Sequence, residues 1–278
     1  MIQSIIRSIR CYLEDEFFTA PWFLRSHKLR GNYKDFSENL NHLRENGYCS
    51  IDKLLNQNEI IEIQKIINQK ISEKDHIYVN EVSNYIQILK PLLIHESLTK
   101  AAVNPKVLDL VEAYFGRESF VADLDMRRIH PESNKKVHER GGYTSSSWHR
   151  DVRGRQLKLM IYLTHVYEKD SNFAFIPASH RFKYARKNFN STRFSDDVIC
   201  KTYPTPIEWY GRAGEAYLFD TNLIHRLRRK ENAHLRDSFT VYFTPGQELR
   251  KIELNDKCRA YNSNRVLQNP KSFLFKRR

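Results

Sequence analysis

From residue 157 to residue 243 the chain repeats one theme, an apolar run, a polar turn, and another apolar run. Leu157-Lys158-Leu159-Met160-Ile161-Tyr162-Leu163-Thr164 reads as a buried strand, and Glu168 to Asn172 as a polar turn. Phe173-Ala174-Phe175-Ile176 then runs into Pro177-Ala178-Ser179-His180. Further strands are predicted at Gly214–Asp220 and Asp237–Phe243. Short strands broken by turns are what a small antiparallel barrel needs to bring distant residues to one mouth. Upstream, Phe120 to His130 forms another strand pattern, in which period-two alternation puts Met126, Arg128 and His130 on one face. The N-terminus changes period. Ile2, Ile5, Ile6, Ile9, Tyr12, Leu13 and Phe17 fall at helical spacing, with Arg7 and Arg10 on another face.

Chemistry enters at Trp148-His149-Arg150-Asp151. A His and an Asp two residues apart on a strand share a face, so both can grip one ion. His225, from a later strand, would complete a two-His, one-carboxylate set. Such a set covers one face of an octahedral metal and leaves the remaining positions open, the pattern of non-haem Fe(II) oxygenases. A rival of equal spacing, His130-Pro131-Glu132, carries a Pro between its ligands and runs into a polar loop, which marks a strand end. His165 and His234 read as surface or capping residues, His180 as a structural loop residue, and His138 lies in a polar loop that could cover the site.

The order of these segments resembles the phytanoyl-CoA dioxygenase family of Fe(II)- and 2-oxoglutarate-dependent enzymes. His149 and Asp151 match its His-x-Asp, Ile176-Pro177-Ala178-Ser179-His180 its hydrophobic-Pro-Gly-Ser-His segment, and His225 its distal His. Arg236 stands eleven residues after His225, where the family has its Arg. Glu45 to Leu55 is similar to the family's N-terminal strand and helix entry, and Leu108 to Gly116 to the helix before its barrel. Ala178 and Asn172 replace customary glycines in turns; Asn tolerates the left-handed conformation, and neither change touches a ligand. The presence of Asp151 disfavours the halogenating variant of the chemistry.

The resemblance implies an α+β protein with a double-stranded β-helix of jelly-roll (cupin-like) type. The expected organisation is one domain: an N-terminal amphipathic helix and linker (1–35), a helical flank (36–116), the β-helix core (117–246) and a basic tail (247–278). It implies Fe(II) on His149, Asp151 and His225, with 2-oxoglutarate as cosubstrate and O2 as oxidant. Arg236 would hold the far carboxylate of 2-oxoglutarate through its planar fork. Related enzymes place cosubstrate and substrate contacts on neighbouring strands. That points to His130 and Tyr162 for the cosubstrate and to Arg128 for the substrate.

Composition narrows the setting. The formal charge is +13 over 278 residues, with basic runs at 181–193, 226–230 and 250–278, which favours an anionic counterpart. No zinc-finger, RNA-recognition or phosphate-loop motif is present, so sequence-specific nucleic-acid binding is not expected. A small or carrier-linked anionic substrate, such as a lipid-linked sugar or an acyl/CoA-type metabolite, fits better. Four dispersed cysteines indicate a reducing compartment, and acids at Glu14, Asp15 and Glu16 interrupt any signal peptide. A cytoplasmic enzyme is expected, with residues 1–24 either packed on the barrel or a partner subunit, or lying on a membrane surface. Two alternatives stay open on residues alone. One is a non-catalytic metal-binding barrel that attaches to anionic membrane or nucleic acid. The other is a zinc hydrolase, for which Arg236 would have no use.

Overall fold

The computed structural model describes residues 37–81, 84–116, 119–131, 146–151, 156–180, 193–230 and 233–245. The expectations for the N-terminal helix, for the loop carrying His138 and for the basic tail lie outside these residues. Among the described residues no helix is long and apolar enough to cross a membrane.

Four helices and three strands precede the long strand before the metal motif. Helix α1 (Ser37–Asn46) buries Leu40 and Leu43. It stops at Gly47, whose φ of +83° turns the chain into β1 (Tyr48–Ile51). A Cβ there would lie 2.6 Å from His180 Nδ1 and 2.7 Å from Leu223, so glycine is required by both backbone and space. Helix α2 (Gln57–Glu73) starts with a reciprocal cap. Asn56 accepts from the Glu59 N–H at 3.0 Å, while the Glu59 carboxylate accepts from the Asn56 N–H at 2.8 Å. Ile60, Ile63 and Ile67 repeat at the helical period and form its buried stripe. After the hairpin β2 (Ile77–Asn80) and β3 (Tyr85–Ile88) come α3 (Glu96–Ala102) and α4 (Pro105–Phe115). Helix α4 has Asn104 as cap, Pro105 at its first position and Gly116 in the left-handed region as its stop.

The rest is strand: β4 (Ser119–Ile129), β5 (Trp148–His149), β6 (Leu157–Tyr162), β7 (Asn172–Phe175), β8 (Arg193–Phe194), β9 (Ile207–Trp209), β10 (Ala216–Asp220), β11 (His225–Arg228) and β12 (Arg236–Pro245), with the short helix α5 (Asp196–Thr202) between β8 and β9. They form two antiparallel sheets in the double-stranded β-helix arrangement. The larger has the order β1-β10-β6-β12-β4-β3-β2, the smaller β8-β5-β11-β7-β9. The flank of residues 36–116 contains the strand expected within Glu45 to Leu55 as β1 and adds the hairpin β2/β3, which was not expected, to the larger sheet. The hairpin β2/β3 pairs edge-on with β4, covering a ladder that would otherwise be open.

Alternation divides the larger sheet cleanly. Leu157, Leu159 and Ile161 of β6, with Phe239, Val241 and Phe243 of β12, face out and pack with Leu43, Ile63 and Val111 of the helices. The opposite face looks toward the smaller sheet. At one end it is closed by an aromatic cluster in which Tyr162, Phe173, Phe175, Trp209 and Phe219 pack together. At the other end it carries Lys158, Ser238, Thr240 and Tyr242 around a cavity of about 160 Å3. The helices seal the outside of the sheet, so the space between the sheets can be polar at its open end.

Candidate metal centre

β5 and β11 are neighbours in the smaller sheet, and His149 and His225 are direct partners in their register. Both project into the cavity, with ring centroids 4.4 Å apart. Asp151 follows the end of β5, its backbone N–H donating to the Thr221 carbonyl at 3.2 Å. The carboxylate sits between the imidazoles, Oδ1 at 3.4 Å from His149 Nε2 and Oδ2 at 3.5 Å from His225 Nε2. One ligand atom from each residue lies within 4.8 Å of the others, close enough for a single ion.

The surroundings set the chemical state of each ligand. His149 Nδ1 lies 2.7 Å from the Ser147 carbonyl and His225 Nδ1 2.8 Å from the Leu223 carbonyl. A carbonyl can only accept, so Nδ1 carries the hydrogen in both rings and Nε2 offers its lone pair to the cavity. Burial pushes the His225 pKa down, which keeps that imidazole neutral. Burial works against the charge of Asp151, but the Lys158 ammonium beside it outweighs that and holds the carboxyl well below the usual carboxylate range. Two imidazoles, each with Nδ1 tied to a carbonyl and Nε2 turned inward, and one ionised carboxylate therefore face the same space.

The backbone around the ligands is pinned. Arg150, between His149 and Asp151, points the other way and is buried, donating to the Asn222 carbonyl at 2.9 Å and the Ser179 carbonyl at 3.1 Å. It ties the first ligand segment to the turn that precedes His225. On the outer face Arg226 stacks over Trp148, and both donate to Asp196 at 2.8 Å.

Arg236, at the start of β12, is 4 % exposed and lines the same cavity. Its Nε and Nη1 have no hydrogen-bond partner among the described residues. The Tyr162 ring lies 5.7 Å from the guanidinium carbon, and burial lowers the Arg236 pKa. A buried fork with unmet donors fits a bidentate anionic oxygen ligand, because each unmet donor costs roughly 1–3 kcal/mol.

The profile of the phytanoyl-CoA dioxygenase family matches residues 43–238, most of the chain and all three ligands. The chain belongs to that family. Solved structures agree in fold. A non-haem α-ketoglutarate-dependent carbocyclase of nogalamycin biosynthesis, SnoK, is 17% identical and superposes with a TM-score of 0.59, covering 83% of this chain and 92% of its own. EctD from S. alaskensis with 2-oxoglutarate and 5-hydroxyectoine is 16% identical with a TM-score of 0.55, covering 79% and 80%. HygX from Streptomyces hygroscopicus with nickel and 2-oxoglutarate is 14% identical with a TM-score of 0.54, covering 75% and 87%. No functionally curated protein matches the chain in sequence. As a phytanoyl-CoA dioxygenase family member with its two-His, one-carboxylate cluster assembled, the protein is an Fe(II)- and 2-oxoglutarate-dependent oxygenase.

The other residues marked on the sequence of this family member fall differently. Arg128 does not reach the cavity. It turns to the outer face of β4 and makes a buried two-point pair with Asp237, Nε to Oδ1 at 2.8 Å and Nη2 to Oδ2 at 2.7 Å. His130, on the same face just past the end of β4, is also absent from the cavity wall. The residues of β4 that do line it are Asp125, Arg127 and Ile129. Alternation had grouped the strand correctly, but it does not say which face looks inward. The register of β4 on β12, which sets Arg128 opposite Asp237 and Arg127 opposite Ser238, decides that. Tyr162 shares the inner face of β6 with Lys158 and Met160 but lies beyond the cavity, in the aromatic end. Its hydroxyl donates to the Trp209 carbonyl at 3.0 Å and accepts from the Phe173 N–H at 3.3 Å, and its ring stacks on Trp209 at 3.9 Å. Its ring lies against the Arg236 guanidinium.

Sequence reasoning missed Arg127 and Lys158. Arg127 Nε lies 2.7 Å from Asp125 Oδ2, and its guanidinium is 4.8 Å from the Tyr85 ring centroid. Lys158 donates to Asp151 itself. A lysine inside a buried apolar run is a legible signal, because a buried cation needs an acid partner. Which acid it meets depends on how β6 and β5 face one another.

Proposed function

We propose that the protein hydroxylates a small or carrier-linked anionic molecule, coupled to decarboxylation of 2-oxoglutarate. The observation that carries this reading is Arg236, a buried guanidinium with two nitrogens that have no partner among the described residues, on the wall of the cavity that holds His149, Asp151 and His225. In this reading the two Nε2 atoms and the Asp151 carboxylate hold Fe(II). Arg236 receives the far carboxylate of 2-oxoglutarate, held in line by the Tyr162 ring beneath it. When bound, the iron supplies oxygen activation, which no side chain here can perform. The protein's part is to orient cosubstrate and substrate and to exclude water. The sealed aromatic end and the helix-covered outer face of the larger sheet leave approach through the polar mouth.

An anionic substrate is supported by the net charge of +13. A barrel that merely attached to membrane or nucleic acid would have no use for an unpartnered buried fork, and neither would a zinc hydrolase. Hydroxylation is the parsimonious outcome of oxygen transfer. Neighbours of the same fold are described as an epimerase and a carbocyclase, so the test must read the product as well as turnover. Purified protein with Fe(II), 2-oxoglutarate and oxygen is challenged with sugar phosphates, nucleotide-linked sugars, lipid-linked glycans and acyl-CoA compounds. The expected result is succinate formation stimulated by one anionic class, with a product heavier by one oxygen. Succinate release no greater than that of Asp151→Ala throughout would refute the assignment.

A further inference from the structure

On β6 the residues either side of Lys158 turn outward to the helices, while Lys158 turns in toward the metal ligands. Its side chain is 11% exposed, and its ammonium lies 4.6 Å from the centroid of the Tyr242 ring. Its acid partner is Asp151 Oδ2. The other acid on the wall, Asp125, is already engaged by Arg127 and by Gln87 Nε2 at 3.0 Å. The two oxygens of Asp151 thus have unequal surroundings. Oδ1 faces His149, whereas Oδ2 faces His225 and carries the lysine.

That asymmetry has a consequence for coordination. A carboxylate can bind a dication through one oxygen or both. Binding through both would occupy a position that the cosubstrate or oxygen needs. A charge-assisted bond from a buried ammonium is among the stronger ones available to a carboxylate. We propose that Lys158 is a positioning residue of the metal centre: it holds Oδ2 of Asp151 back, so that Oδ1 alone ligates and the positions opposite the triad stay open. The inference rests on the metal-centre reading above and concerns the residue's hold on Asp151 alone. The fixed positive charge also opposes the incoming ion, so the site trades affinity for an open face.

The test is metal binding by the full-length protein, with Co(II) for affinity and Mn(II) water-proton relaxation for exchangeable waters. Lys158→Met keeps an unbranched side chain one heavy atom shorter and removes the charge. The expected result is Co(II) binding tighter than wild type by roughly tenfold or more, the scale on which partners of metal ligands act. Bound Mn(II) should show one fewer exchangeable water. Lys158→Arg, which restores a cation, should return both readouts toward wild type. Lys158→Gln guards against loss of fold in the Met variant and should bind Co(II) more tightly than wild type. A merely structural lysine would lower thermal stability without tightening metal binding. Equal Co(II) affinity and equal relaxation in wild type and folded variants would overturn the proposal while leaving the metal centre intact. No Co(II) binding by wild type would bring down both.

Discussion

Replacing Arg236 by Met should separate function from stability in opposite directions. Among the described residues the guanidinium is buried with Nε and Nη1 unpartnered, so it is a cost that 2-oxoglutarate would offset. Truncating one partner of a buried, hydrogen-bonded charge pair costs about 2–5 kcal/mol, or roughly thirtyfold to several thousandfold in Kd. The structure argues against the low end. Among the described residues the other cations on the cavity wall are committed, Arg127 to Asp125 and Lys158 to Asp151, so none of them is poised to take over the cosubstrate's far carboxylate. A loss of about a hundredfold or more is therefore expected. The assay is anaerobic visible spectroscopy of the Fe(II) protein titrated with 2-oxoglutarate, following the charge-transfer band that requires both. Arg236→Lys should recover part of the affinity, because it keeps the charge and loses the two-point fork. Without cosubstrate, Arg236→Met should be more stable than wild type by at least about 1 kcal/mol, since an uncompensated buried cation has gone. Wild-type affinity for 2-oxoglutarate together with lowered stability would refute the reasoning and make Arg236 a structural residue.

Arg128→Met should destabilise the fold by about 3–5 kcal/mol, because it strands the buried Asp237 carboxylate. Its 2-oxoglutarate titration should match wild type, and urea denaturation beside the spectroscopic assay checks both halves. Asp170 is buried and accepts the Tyr167 and His234 N–H groups, each at 2.9 Å. Burial opposes its charge, but these bonds hold its pKa below 3.8. A depressed carboxyl pKa contributes stability that is full above 3.8 and lost as pH falls through the folded value. Asp170→Asn should cost roughly 1–3 kcal/mol near neutral pH, and the gap in urea midpoints should close in acid below 3.8. Ala178 stands in the left-handed region with φ of +57°. Ala178→Gly should raise the thermal midpoint, recovering about 1 kcal/mol of backbone strain, without changing metal affinity.

Much of the site was legible along the chain. His149, Asp151, His225 and Arg236 stand out because metal and carboxylate chemistry demand those residue types, and the strand patterns around them imply a barrel that could join them. Period-two alternation also grouped Met126, Arg128 and His130 on one face of β4, because the pleat is a local property of the backbone. Direction is not local. Whether Arg127 or Arg128 enters the cavity was decided by the pairing of β4 with β12 and by the helices that cover the opposite face, contacts between segments far apart in sequence. The same holds for Tyr162, which lies on the inner face but beyond the point where the aromatic cluster closes the barrel. Lys158 announced a buried partner but could not name it. Residue types and local periodicity thus determined the chemistry and the elements. The assembly of two sheets decided which side chains meet, because register and facing arise only when distant strands pair.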